Sequence, residues 1–105
     1  PTKWWTETIQ LGGDWRLSEW LGEFRAFGNG WIYQLQLGWA YTAPDEREGL
    51  WMWTERNGWL WSQSGVWPYL WSHNSGNWLY LLGGSNGDPI FYHFGIGAYF
   101  SVPPP

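Results

Sequence analysis

Along most of this chain, large aromatic residues alternate with smaller apolar ones in a single recurring unit, aromatic–x–aromatic. Between Trp31 and Phe94 the unit occurs seven times: Trp31-Ile32-Tyr33, Trp39-Ala40-Tyr41, Trp51-Met52-Trp53, Trp59-Leu60-Trp61, Tyr69-Leu70-Trp71, Trp78-Leu79-Tyr80 and Tyr92-His93-Phe94. Side chains at i and i+2 of a β-strand share a face, and i+1 points to the other. Each copy therefore places two rings on one face. Five copies place an aliphatic residue or Met on the other, with Ala40 and His93 as the exceptions. Turn formers separate the copies, among them Asn57-Gly58, Asn74-Ser75-Gly76-Asn77 and Asn86-Gly87-Asp88-Pro89. The pattern predicts an all-β fold: an antiparallel meander of about eight short strands, built as one twisted sheet or a two-layer sandwich. An up-and-down barrel is a further arrangement, although its interior would be crowded by the rings or sparse with the aliphatic row.

Residues 1–22 are less regular. Thr2 to Leu11 reads as a strand ending at Gly12-Gly13. The spacing of Trp15, Trp20, Phe24 and Phe27 after Asp14 suits a helix, but Gly22 and Gly28 interrupt it. The favoured reading is a turn and a short strand over Leu21 to Phe27. Hairpins then join Trp31–Tyr33 to Trp39–Tyr41, Trp51–Trp53 to Trp59–Trp61, and Tyr69–Trp71 to Trp78–Tyr80. Pro68 cannot donate to a ladder, so its strand begins there or lies at an edge. After the turn-rich stretch Gly83 to Pro89, Ile90–Phe94 and Ala98–Val102 close the set. Copies begin eight to fourteen residues apart, too unevenly for a strict solenoid. The chain reads as one domain, 1–105. It starts at Pro1 without an initiator Met, as expected of a processed product or excised region, and ends in a polyproline-like tail, 103–105, suited to an exit linker.

Composition sharpens this picture because both faces of the predicted sheet are apolar. Thirteen Trp, six Tyr and five Phe make 23% of the chain aromatic, and only 13% is charged. One face can pack internally. The other exceeds the few hundred Å² of apolar patch that a monomer ordinarily exposes, which marks it for interaction. The rings assigned to it are Trp31, Tyr33, Trp39, Tyr41, Trp51, Trp53, Trp59, Trp61, Tyr69, Trp71, Trp78 and Tyr80.

The same composition argues against several function classes. Net charge is −4 with five cations, which disfavours nucleic acid and acidic membrane surfaces. Without cysteine there is neither a disulfide nor a thiolate metal site. No apolar run is long enough for a membrane-spanning helix. His73 and His93 belong to no catalytic motif, and the carboxylate pairs Glu19/Glu23 and Asp45/Glu48 sit in an irregular segment and a charged loop. Arg47, in the middle of Asp45 to Glu48, argues against Ca2+ there. The expectation is no enzyme, no cofactor and no metal.

Two roles remain for the surplus face. The foremost expectation is self-assembly of copies into an extracellular fibre or surface layer, favoured by low charge and by strand edges without Lys. The alternative is a carbohydrate- or cell-wall-binding module. Its rings would stack on sugars while Asn29, Gln34, Gln36, Asn74 and Asn77 supply hydrogen bonds.

Gly30-Trp31-Ile32-Tyr33, Leu37-Gly38-Trp39-Ala40-Tyr41, Asn57-Gly58-Trp59-Leu60-Trp61, Tyr69-Leu70-Trp71 and Gly76-Asn77-Trp78-Leu79-Tyr80 carry a likeness over residues 13–101. The chain resembles a Trp/Tyr-rich hairpin module of bacterial secreted or cell-surface proteins. More loosely, it is similar to choline- and glucan-binding wall repeats, which keep a stricter period of about twenty residues. Either resemblance implies an extracellular or cell-surface protein.

Overall fold

A computed structural model of the protein describes residues 4–85 and 88–101. Its eleven strands are β1 (Ile9–Gly12), β2 (Trp15–Ser18), β3 (Gly22–Ala26), β4 (Trp31–Gln34), β5 (Gly38–Pro44), β6 (Leu50–Thr54), β7 (Gly58–Ser62), β8 (Tyr69–Ser72), β9 (Asn77–Ser85), β10 (Asp88–His93) and β11 (Ala98–Phe100). They lie in chain order across one open antiparallel sheet. The described residues contain no helix, and so none long and apolar enough to cross a membrane.

Eleven strands replace the expected eight or so, and one sheet replaces the sandwich. One strand that the pattern did not mark is β2, where Arg16 and Ser18 break the apolar alternation that marks strands elsewhere. Of the strand expected over Thr2 to Leu11, Thr2 and Lys3 lie outside the described residues, Trp4 to Thr8 form turns, and the last part pairs as β1 with β2. The Gly83-Gly84 stretch is strand rather than turn: β9 runs through it and pairs Gly84 with Pro89. Pro68 precedes β8, which begins at Tyr69. The last strand is shorter than expected, and residues 102–105 lie outside the described part.

A single sheet can bury a face only by curling around it. The aliphatic face does so: Ile32, Ala40, Met52, Leu60, Leu70 and Phe91 are inaccessible to solvent and share one cluster. Burying a side chain of this size stabilises the fold by about 1.5–3 kcal/mol. Rings outside the recurring units close the concave side. Trp4 stacks on Phe24 at 5.3 Å, and its Nε1 donates to Thr42 Oγ1 at 3.0 Å. Trp20, between β2 and β3, meets Trp67, before β8, edge to face at 5.8 Å. An exposed ion pair, Arg56–Asp88 at 3.0 Å, ties the β6–β7 turn to the start of β10.

Five hairpins share one turn design. Ser18, Gln34, Thr54, Ser72 and His93 end β2, β4, β6, β8 and β10, and all five are buried. Each side chain accepts a backbone N–H from its own turn: Ser18 Oγ from Leu21 (3.1 Å), Gln34 Oε1 from Leu37 (2.7 Å), Thr54 Oγ1 from Asn57 (3.2 Å), Ser72 Oγ from Ser75 (3.3 Å) and His93 Nδ1 from Gly95 (3.1 Å). Four residues after each polar residue stands a glycine with φ between +65° and +81°: Gly22, Gly38, Gly58, Gly76 and Gly97. A Cβ is disfavoured in that left-handed region. The chain is thus a repeat of polar-x-x-x-Gly hairpins whose polar residues lie 16, 20, 18 and 21 residues apart. The uneven spacing of the aromatic units arises at the opposite end of the sheet, where connections differ in length.

Candidate functional site

With the aliphatic face inside, the ring face is the outer, convex one. None of the twelve rings assigned to it is buried: Trp39, Tyr41, Tyr69 and Trp78 are exposed and the other eight are half-buried. Strand register sets ring against ring. Tyr33 faces Trp39 and Trp31 faces Tyr41; Trp51 faces Trp61 and Trp53 faces Trp59; Trp71 faces Trp78 and Tyr69 faces Tyr80. Tyr41–Trp53 and Trp61–Trp71 link these pairs across the intervening strands. Neighbouring rings meet mostly edge to face, as in Trp31–Tyr41 at 5.5 Å, Trp71–Trp78 at 5.4 Å and Tyr69–Tyr80 at 4.8 Å. Such pairs add about 0.5–1.5 kcal/mol each beyond burial and hold the rings in place. Gly30 makes room for one of them, because a Cβ there would come within 2.6 Å of the Tyr41 ring.

Three shallow clefts lie between these rings. The first, of about 410 Å³, is framed by Trp31, Trp39, Trp53 and Glu55. Ala43, Trp51, Trp59 and His73 frame the second, about 340 Å³. The third, about 700 Å³, runs between Tyr69, Trp78 and Phe94 with Val66 and Trp67 at its end. Glu55, His73 and Phe94 hold one position of the hairpin repeat, the residue directly after the buried polar one. The clefts are therefore structural equivalents, each belonging to one hairpin and the strand beside it.

Comparison with family models, with curated proteins and with solved structures gave no match. The site is read from its own chemistry. On the twelve-ring face, Trp61 Nε1 has an acceptor, Asp45 Oδ2 at 2.9 Å, while the other indole N–H and phenol O–H groups have none among the described residues. In the half-buried rings none of those groups is buried, and Trp39, Tyr41, Tyr69 and Trp78 are exposed as residues. Asp45 Oδ1 also accepts the backbone N–H groups of Arg47 (2.8 Å) and Gly49 (2.9 Å). The Trp61 hydrogen bond, then the Arg47 one, lowers the Asp45 pKa against the opposing effect of desolvation.

The polar residues put forward for sugar contacts are largely engaged in turns. Gln34 is buried and also donates to Leu21 O at 2.9 Å. Asn29 Oδ1 accepts from Trp31 N at 3.2 Å, and Asn77 Nδ2 donates to Ser75 O at 3.0 Å. The Asn74 side chain lies over Gly58, where a Cβ would stand. His93 is a turn residue inside the fold; His73 is exposed, 6.3 Å from the Trp51 ring. Glu19 and Glu23 are exposed, and Asp45 is committed to its own loop. Among the described residues no three His, Asp or Glu gather as metal ligands. Sequence reasoning located the rings but missed the clefts, because these depend on which strand neighbours which. The available signal was the polar-x-x-x-Gly spacing, which sets hairpin register.

Proposed function

We propose that the protein is a non-catalytic binding module that holds a neutral polysaccharide against its convex aromatic face, outside the cell or at its surface. The observation that carries this reading is the polar character of the outer rings. All twelve are Trp or Tyr, none is buried, and all but Trp61 keep an indole N–H or phenol O–H with no acceptor among the described residues; the exposed Phe27 and Phe94 rings border them. A ring with a polar handle suits a ligand that has apolar faces and hydroxyl groups together. Pressing the same face dry against an apolar partner would leave indole N–H and phenol O–H groups without acceptors, at about 1–3 kcal/mol each. Arg25, level with Tyr33 on this face, is paired with Asp14, and a net charge of −4 fits a neutral polymer better than an anionic one.

Co-sedimentation tests the reading. The protein should pellet with insoluble chitin or cellulose, and Trp39→Ala with Trp78→Ala should release it. A protein that stays in the supernatant with both polymers contradicts the proposal.

The second reading is a self-assembling structural subunit, and the sheet edges favour it. Among the described residues β1 and β11 are the end strands of the sheet, and Ile9, Leu11 and Tyr99 on them are exposed. Antiparallel addition of copies at such edges would make a fibre. Two convex ring faces, by contrast, touch over little area. Under this reading the protein sediments without any polysaccharide, and a proline placed in β11 stops it.

A further inference from the structure

The three clefts are arranged as a staircase, and this deepens the polysaccharide reading on which it rests. Ladder pairing defines rows of rings across the strands. One row runs Trp31, Tyr41, Trp53, Trp59 and on to His73, whose backbone N–H donates to Trp59 O at 3.0 Å. A second runs Trp51, Trp61, Trp71, Trp78 and on to Phe94, whose N–H donates to Trp78 O at 3.1 Å. A third joins Tyr69, Tyr80, Tyr92 and Tyr99. The first cleft lies between Tyr33–Trp39 and the first row. The next lies between the first and second rows, and the last between the second and third. Each step moves about two strands across the sheet and one row along it. On an unrolled sheet that is roughly 10 Å by roughly 7 Å, or about 12 Å between cleft centres.

We infer that these clefts are successive subsites for one extended, neutral, β-1,4-linked glycan that crosses the strands diagonally. Equivalent sites at a fixed step call for a ligand that repeats. An extended β-linked chain presents the same sugar face at every second residue, an interval of the same order. Its pyranose rings offer the apolar faces that Trp39, Trp59 and Trp78 can stack on, and its hydroxyl groups meet the free indole N–H and phenol O–H groups. Glu55 and His73 enter the first and second clefts as polar side chains able to fix a hydroxyl group, while Phe94 holds the equivalent place in the third with an apolar ring. A peptide strand would need a backbone edge, which the middle of this face does not offer. A lipid surface would bury every ring donor.

Calorimetric titration of the intact chain with β-1,4-linked gluco- and N-acetylglucosamine oligosaccharides of two, four and six residues tests the inference. Affinity should rise at each length, on the order of tenfold per added disaccharide. Trp39→Ala or Trp78→Ala, each removing an end subsite at an exposed position, should make the hexasaccharide bind like the tetrasaccharide, with circular dichroism unchanged. Equal affinity at all three lengths, with retention on insoluble polymer intact, overturns the staircase and leaves the polysaccharide reading standing. Absence of binding to both soluble and insoluble glycans overturns the two together, as does sedimentation of the chain alone through its ring face.

Discussion

Trp61 and Asp45 are joined across the convex face by a 2.9 Å hydrogen bond from the indole Nε1 to the carboxylate Oδ2. The bond pins the charged loop between β5 and β6 to a ring of β7. Gly49 is the residue that lets them meet: a Cβ there would collide with both the Asp45 carboxylate and the Trp61 indole. The folded state favours ionised Asp45, whose pKa lies below the usual carboxylate value because of the Trp61 hydrogen bond and then the Arg47 N–H. A depressed folded pKa gives stability that is complete above the unfolded value and is lost as pH falls through the folded one. The Trp61 indole N–H resonance should therefore hold steady from neutrality down through the ordinary carboxylate range and shift only in stronger acid. A resonance that titrates at the ordinary Asp value would mean that the contact does not form in solution.

The two faces should respond differently to truncation. Leu60→Ala removes a side chain with no solvent exposure from the middle of the core and should cost about 2–5 kcal/mol. Trp39→Ala, at a position 55% exposed, should cost well below that while weakening polysaccharide retention. Chemical denaturation of the two variants beside the wild type measures both. Equal losses of stability would place Trp39 in the core and sink the assignment of faces.

The turn design makes its own prediction. His93 is 5% exposed and accepts backbone N–H groups from Gly95 at 3.1 Å and Ile96 at 3.3 Å. His93→Ala should cost about 1–3 kcal/mol by leaving those donors without an acceptor. His93→Asn, which keeps a short acceptor, should recover part of the loss. Thermal melts that place both variants at the wild-type midpoint would show that the acceptor does not hold this turn.

Much of the fold was legible in the sequence, for an identifiable reason. Wherever Ile32, Met52, Leu60, Leu70 or Leu79 stands between two rings, the period-2 pattern alone assigns strand and face. The pattern failed where an alternation was broken or masked. Arg16 and Ser18 concealed β2, and Gly83-Gly84 looked like a turn inside what is the long strand β9. Curling, which settles which side is the core, is a property of the whole sheet. It depends on Trp4, Trp20 and Trp67, rings outside the recurring units that pack onto the aliphatic side. The candidate rings could be named from sequence because all lie in aromatic–x–aromatic units. Their grouping into three equivalent clefts could not, since it requires the register that Thr54, Ser72 and their counterparts set through the turns.

The most direct test of the account uses the chain's lone methionine as an inside marker. Met52 has no solvent exposure and lies between Trp51 and Trp53, both on the outer face. Brief hydroxyl-radical footprinting read by mass spectrometry, with and without a bound β-1,4-linked hexasaccharide, compares an inward thioether with outward rings, each against its own rate in the unfolded chain. The account predicts that Met52 is spared in both states, that Trp39, Tyr69 and Trp78 are modified in the free protein, and that the glycan protects those three rings. Oxidation of Met52 at the rate of the unfolded chain, with the rings spared before any glycan is added, would contradict it.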